Sequence, residues 1–329
     1  MPLDIGLVGA TRIAERAIVA PSARHGDVRL RSVAASDPDR ARAFADRNGI
    51  PRVHHDYEAL VADPEIDTVY VSLHNSAHHP WVVRAARAGK HVVVEKPLCL
   101  TTSQLAEIVE VASTASVQVV EAVPTEGHEW QAAVRTLITD QTYGRLRSVR
   151  TEMCFGPPAA GSYRDRPELG GGIFLDTASY WLQAVQATVG LAGAVGHGQV
   201  DASGPHGADR AFRAGLVWAD GAEAELVCRI GNRHVAEHVF VFESASVRLR
   251  NFLRPVAGAL PLNLVVTTAD GGRTVRSFAP RAYYDTQLDR LRALLTAPAG
   301  DAAVVPAAER IALMATIHAH ATFAHRAPR

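Results

Sequence analysis

The run His91-Val92-Val93-Val94-Glu95-Lys96-Pro97 limits what this chain can fold into more than any other stretch. Its valines form a short apolar run, the pattern of a strand buried on both faces of a parallel sheet. Open sheets of that kind bind ligands beyond the carboxyl ends of their strands. Here a carboxylate and an ammonium are delivered to that edge. Pro97 fixes φ and lacks an N–H, so the strand stops there. A strand-end ion pair with no chemical role would leave the same tripeptide, and the rest of the chain must decide between the two.

A nucleotide site is written at the N-terminus. Asp4 to Ala14 reads DIGLVGATRIA, an apolar strand, a turn at Gly9 and a helix from about Arg12. A G-x-G-x-x-G/A fingerprint falls on Gly9, Thr11 and Ala14, with Thr11 in place of the second glycine. The start of that helix, at Arg12 and Ile13, offers backbone N–H groups and a positive dipole end to a diphosphate. Val28 to Ser36 is a second strand, and Asp37, 23 residues beyond Ala14, ends it. An acidic residue about 20 positions on is expected to bind the adenosine ribose. Asp37 is equally placed to cap a helix over Pro38 to Asn48. A carboxylate there disfavours a 2′-phosphate, which points to NAD. Arg40, one turn later, leaves NADP open.

With 329 residues the chain is long enough for two domains, each with its own core. The formal net charge is +0 and no basic block occurs, which excludes nucleic acid and anionic membrane as expected partners. No stretch is long and apolar enough for a membrane span, and no leader is visible. Three scattered cysteines (Cys99, Cys154, Cys228) form neither a disulfide framework nor a zinc site, and they fit a reducing, cytoplasmic setting.

Strand and helix alternate to about residue 122. The reading is a helix at Pro38 to Asn48, a strand at Thr68 to Leu73, a loop at His74 to Pro80 and a helix from Trp81 to Ala88. The Glu95 strand follows, then a helix capped at Thr101 to Ser103 and a strand at Val117 to Val120. This predicts a parallel sheet with right-handed crossovers, a dinucleotide-binding domain over residues 1–122. Residues 123–329 read as a second, α/β domain. After a helix at Gln131, strands are expected at Leu146 to Phe155, Phe212 to Trp218, Glu223 to Ile230 and His238 to Glu243. Further strands fall at Val247 to Leu249, Leu262 to Thr268 and Thr274 to Phe278, mostly joined by turns, so a large, mostly antiparallel open sheet is expected. The segment from Gly204 to Arg210 reads as loop. Helices near Thr286 to Leu295 and Ala307 to His325 close the chain.

Taken in order, GATRIA, DYEALVADPEIDTVYVSLHNSAHH, EKP, PELGGGIFLDTASY and YDTQLDRLRALL resemble the glucose–fructose oxidoreductase/inositol dehydrogenase family (Gfo/Idh/MocA) over nearly the whole chain. The resemblance implies a Rossmann domain plus an α/β domain whose open sheet covers the active site. It further implies a homodimer or homotetramer assembled through that sheet. Carried onto this sequence, the EKP lysine is Lys96, beside both the nicotinamide and the reacting oxygen, with Glu95 next to it at the cofactor. A cation there stabilises a developing alkoxide or shares its proton. In the loop beside the cofactor the matching residues are Leu73, Asn75 and His78, with His74 where relatives carry proline. A metal at His74, His78 and His79 is not expected, because the residues lie on a loop and the glutamate of the helical zinc motif is missing.

The second catalytic segment is Gly170 to Tyr180. Asp176 and Tyr180 are four residues apart, on one face of a helix. Inositol dehydrogenase-like members carry histidine at the second position. This chain resembles the tyrosine branch, with Tyr180 as proton donor or acceptor and Asp176 orienting it. Tyr180 also fits the aromatic edge of a core helix beside Phe174, Leu175 and Trp181. Arg164 and Arg166 are placed to bind substrate hydroxyls or a carboxylate, or else lie on the surface. His128 survives from a stretch in which relatives carry substrate contacts, although Pro124-Thr125-Glu126 departs from their pattern.

The expected activity is hydride transfer between NAD, or NADP, and a secondary alcohol/ketone of a sugar, cyclitol or sugar-derived small molecule. A non-catalytic NAD(P) sensor or regulatory protein on the same fold is the alternative from another class.

Overall fold

The computed structural model describes residues 2–204, 206–296 and 305–324. The chain divides into two compact units, Met1–Pro124 with Tyr284–Ile311, and Thr125–Tyr283 with Ala312–Arg329. The expectation placed all of residues 123–329 in the second domain; here residues 123–124 and 284–311 group with the first unit. Ion pairs of Arg24 with Asp285, Arg292 with Asp27 and Arg310 with Glu121 tie the returning segment to the first unit. Hydrophobic periodicity gives no sign of such pairs.

The first unit opens with β1 (Leu3–Val8), then a helical run made of α1 (Arg12–Ala14), a π segment (Glu15–Val19) and α2 (Ala20–Ser22). There follow β2 (Val28–Ala34), α3 (Pro38–Asn48), β3 (Arg52–Val53), α4 (Tyr57–Val61) and β4 (Thr68–Val71). Next come α5 (Asn75–Arg87), β5 (His91–Glu95), α6 (Thr102–Ala115) and β6 (Val119–Ala122). All six strands are parallel, in the order β3-β2-β1-β4-β5-β6. The order reverses between β1 and β4, the switch point at which open α/β sheets take ligands. Val92, Val93 and Val94 are buried, as a strand covered on both faces requires.

One boundary departs from expectation. The segment His74 to Pro80 is not a loop, because α5 begins at Asn75 and carries Pro80 inside it. Proline's fixed φ suits a helix, and at this position it withholds only one N–H from the early turns.

The second unit contains α7 (Glu129–Thr139), β7 (Leu146–Phe155), α8 (Ile173–Thr188), β8 (Val195–Ser203), β9 (Asp209–Val217) and β10 (Glu223–Ile230). It continues with β11 (Val235–Phe242), β12 (Ala245–Arg250), β13 (Leu260–Thr268) and β14 (Arg273–Arg281). The last elements along the chain are α9 (Tyr283–Leu295), α10 (Val305–Ala319) and β15 (Thr322–Phe323). Nine strands form one sheet, β14-β13-β12-β11-β7-β10-β9-β8-β15, antiparallel except at β7–β10 and β8–β15. Burial alternates residue by residue along β10, β11 and β12, so one face is covered and the other is open. Helix α8 packs on the covered face, where Phe174 stacks on Phe212 of β9 with centroids 4.3 Å apart.

The sequence reading missed β8, whose run VGHGQVDAS is poor in large apolar residues. Its glycines serve close packing: a Cβ on Gly198 would lie 2.8 Å from both Ile317 and Phe212. The short strands β3 and β15 were also missed. Asp209 and Arg210, expected in a loop, open β9. Helix α10 ends at Ala319 rather than running on, and His325 lies outside the described residues.

Candidate active site

The nucleotide end of the first unit is built mainly from backbone. Gly9 follows β1 with φ +113, and a Cβ there would sit 2.4 Å from the carbonyl oxygen of Ser72, so only glycine fits the turn. Its N–H donates to Ala34 O at 3.0 Å, tying the turn to the end of β2. Thr11 is extended (φ −117, ψ 153) and needs no glycine freedom. Its Oγ1 accepts from Ala14 N at 3.1 Å and donates to Ser72 Oγ at 2.9 Å, while Ser72 donates on to Gly9 O at 3.2 Å. The departure from the glycine pattern is thus a helix cap. The N–H groups of Arg12 and Ile13, at the first turn, have no intrahelical acceptor by position.

Asp37 fills the alternative role left open above. Its Oδ1 accepts from Asp39 N at 2.9 Å and Arg40 N at 3.2 Å, capping α3. The residue is exposed. Arg40 donates to Ser36 Oγ at 2.9 Å, so a hydroxyl and a guanidinium flank the same carboxylate.

Around Lys96 the main chain is held by side chains. Tyr70 donates to Glu95 Oε1. Burial pushes the Glu95 carboxyl up, and the Tyr70 hydrogen bond and the Lys96 charge only partly oppose it. Lys96 itself is half-buried, at the end of β5. His78 is buried, with Nδ1 2.8 Å from Pro97 O and Nε2 3.1 Å from Leu73 O. Burial lowers its pKa to about 4, and the ring is neutral near pH 7. Both nitrogens face backbone carbonyls, and the neutral ring donates to one of them, between the turn that leads into α5 and the segment after β5. Asn75 is buried at the first position of α5, beside half-buried Leu73 and His74. His79 pairs with Glu107 at 2.9 Å.

In the second unit, the glycines before α8 bring a loop back onto the helix. Gly171 and Gly172 donate to the carbonyls of Arg166 and Arg164 at 3.0 and 2.9 Å. Gly172 has φ +122, and a Cβ there would collide with Asp209 Oδ1. Asp209, far along the chain, accepts from Phe174 N at 2.8 Å and caps the helix. Burial raises its pKa. The loop is thereby placed so that Arg164 grips Asp176 with two bonds, Nε to Oδ2 at 2.9 Å and Nη2 to Oδ1 at 3.3 Å. Burial opposes the Arg164 charge, yet Asp176, Tyr163 and Tyr180 outweigh it and hold the guanidinium above its ordinary pKa. Tyr180 follows Asp176 by one turn of α8 and is half-buried.

Arg164 was expected at the substrate; its observed partner is Asp176. Arg166 pairs with Glu168 at 2.7 Å on the surface. His128, also expected at the substrate, is buried as the cap of α7. Its Nδ1 accepts from Trp130 N at 3.2 Å, and its ring meets Phe278 and Tyr283 edge-on. The sequence reading missed Ser72, Tyr70 and Asp209. Ser72 stands inside the motif DYEALVADPEIDTVYVSLHNSAHH, just past β4, and that position was the available signal. Asp209 left none, because a cap supplied from so far along the chain has no local pattern.

Fold and site together define a two-domain oxidoreductase with a Rossmann dinucleotide-binding unit. Residues 3–123 match the model of an oxidoreductase family with an NAD-binding Rossmann fold, and residues 131–246 match the GFO/IDH/MocA C-terminal domain. The chain belongs to the Gfo/Idh/MocA family, and it is an NAD(P)-dependent enzyme. It is 28% identical over 299 residues, 88% of each chain, to an uncharacterized oxidoreductase of Rhizobium meliloti. It is 35% identical over 182 residues to a dTDP-3,4-didehydro-2,6-dideoxy-alpha-D-glucose 3-reductase of Streptomyces antibioticus, spanning 55% of that protein's length. In fold it is similar to a 3-ketoreductase from Actinomadura kijaniata, KijD10, solved in complex with NADP and TDP-benzene. The TM-score is 0.92 at 21% identity, over 98% of this chain and 99% of that one. No helix among the described residues is long and apolar enough to cross a membrane.

Proposed function

We propose that the protein transfers a hydride between NAD, or NADP, and a secondary alcohol/ketone of a sugar, cyclitol or sugar-derived metabolite. The observation that carries this is Asp176, locked by Arg164 one helical turn ahead of Tyr180: a carboxylate held still beside a phenol on a glycine-led helix. A dinucleotide suits the residues of the first unit, since the Gly9 turn, which only glycine can make against Ser72, leads into the first N–H groups of α1, donors for a diphosphate. When bound, the nicotinamide supplies the hydride donor or acceptor.

In the reducing direction, Tyr180 Oη gives its proton to the substrate oxygen. In the first unit, Lys96 Nζ is the cation assigned to stabilising the growing negative charge of a developing alkoxide. Asp176 and Arg164 fix the turn of helix that presents Tyr180. Gly9, Thr11, Arg12 and Ile13 hold the diphosphate side, Asp37 the ribose, and Leu73, Asn75, Glu95 and Lys96 the nicotinamide end. Ser36 and Arg40 at the Asp37 carboxylate support use of NADP as well as NAD. A sugar is supported by the reductase named among the relatives. The open face of the nine-stranded sheet, with Val195, Val217 and Val275 exposed, is the proposed homodimer or homotetramer face of a cytoplasmic enzyme.

The test is a screen of keto-sugars, nucleotide-linked and free, with NADH and NADPH, repeated with Lys96→Met and Tyr180→Phe. Turnover in the wild type, lost in both variants with cofactor affinity kept, is the expected result. Undiminished turnover in either variant removes that residue from the reaction.

A further inference from the structure

Residues 95–98 carry Lys96, and three buried side chains hold them: Tyr70 on the Glu95 side chain, His78 on the Pro97 carbonyl and Glu121 on the Leu98 amide. The third contact is anchored from elsewhere in the chain. Glu121, near the end of β6, accepts from Leu98 N through Oε1 at 3.2 Å and from Arg310 Nη2 through Oε2 at 2.7 Å. Both side chains of the pair are almost wholly buried, at 1% and 4% exposed. Arg310 lies on α10, 189 residues further along the chain.

We infer that Glu121 and Arg310 form a positioning pair for Lys96, through which α10 fixes the main chain that follows the lysine. The inference rests on the reading of Lys96 as a reacting-centre residue.

The physical argument turns on what each oxygen does. A buried carboxylate needs a counter-charge, and a one-sided break leaves the remaining ion unpaired in a poor solvent for it. In the intact pair the guanidinium holds one oxygen, and the other accepts from the Leu98 N–H. Without Arg310, the carboxylate turns towards other donors, and that movement breaks the bond to Leu98. Lys96 is two residues away, on a segment with no regular structure to hold it. A shift of about 1 Å at a reacting group costs about 10²-fold in rate. Glu121 also acts on Glu95 by like-charge repulsion, so neutral replacements on both sides of the pair leave no unpaired buried ion there.

The experiment compares Arg310→Met, Glu121→Gln and the double variant for kcat, KM, NAD(P)H affinity and Tm, with Lys96→Met as reference. Expected is a loss of kcat of about 10²-fold in Arg310→Met with cofactor affinity within about twofold. Recovery of most of that loss is expected in the double variant, where the side-chain amide oxygen introduced by Glu121→Gln still accepts from Leu98. Unchanged kcat in Arg310→Met beside an inactive Lys96→Met overturns the positioning role and leaves the reading of Lys96 standing. An active Lys96→Met overturns that reading itself. If Arg310→Met fails to fold, the double variant decides: near wild-type kcat supports the pair, whereas a folded double variant with kcat still about 10²-fold down contradicts it.

Discussion

The two units build their share of the chemistry from different material. In the first, strands buried on both faces end in backbone: the Gly9 turn, the opening N–H groups of α1 and the main chain at Lys96. In the second, a sheet with one open face supports α8, and the proposed chemistry is assigned to side chains, Tyr180 with Arg164 and Asp176 one turn before it. A backbone site tolerates few sequences, because the turn itself must be made. A side-chain site tolerates changes of scaffold so long as the helix presents the same atoms. The comparison teaches where each kind of damage should appear: in cofactor affinity for the backbone turn at Gly9, in turnover for the side chains of Tyr180 and of Lys96, the one reacting side chain proposed for the first unit.

The largest expected effect is on turnover. Tyr180→Phe should lower kcat by about 10²- to 10⁴-fold while cofactor affinity stays within about twofold, as stopped-flow kinetics and fluorescence titration would show. Equal losses in both quantities would dissolve the division between the units. Gly9→Ala sharpens the contrast from the other side. With φ +113 and a Cβ 2.4 Å from Ser72 O, it should weaken cofactor binding by at least about tenfold. It should also destabilise the fold by about 2 kcal/mol in urea melts. Wild-type affinity in this variant would show that the turn does not shape the site.

Acid should strain both units in one window. His78 has its pKa lowered from 6.5 to about 4, and His238 of β11, hydrogen-bonded to Thr151 at 2.9 Å, from 6.5 to about 3, both through burial. The folded pKa lies below the unfolded one, so the unfolded chain binds the extra proton. Stability is full above pH 6.5 and falls as pH drops through the folded values. At most, the His78 ring is worth about 3 kcal/mol and the His238 ring about 5 kcal/mol. Urea unfolding at pH 7.5 and 4.5 should show this loss, and His238→Phe should reduce it. A flat profile would mean that the rings charge without cost. The smallest effect is expected on the open face, where Val275→Asp should change the stability of the isolated chain by less than about 0.5 kcal/mol. If this face buries itself in an oligomer, light scattering should register the same substitution as dissociation.

What was legible in the sequence follows the same contrast. Runs such as Val92 to Val94 and alternations such as those of β10 and β11 declare their burial directly, and the Gly9 turn and the Asp176–Tyr180 spacing are local patterns. The glycine-poor reading of Thr11 could not show that its hydroxyl caps α1. Pro80 read as a loop residue because a single proline is ambiguous near a helix start. Strand β8 stayed hidden, since its glycines answer to Ile317 and Phe212, far away in the chain. The bonds from Arg164 to Asp176, Phe174 N to Asp209 and Arg310 to Glu121 join polar groups apart in the chain, and no periodicity records them.

The most direct measurement is a titration of nucleotide-free wild type, Gly9→Ala and Tyr180→Phe with NADH and NADPH, followed by nicotinamide fluorescence. The division of labour predicts equal saturation of wild type and Tyr180→Phe, with Gly9→Ala needing at least about tenfold more cofactor. No binding by the wild type, or a Tyr180→Phe defect as large as that of Gly9→Ala, would contradict it.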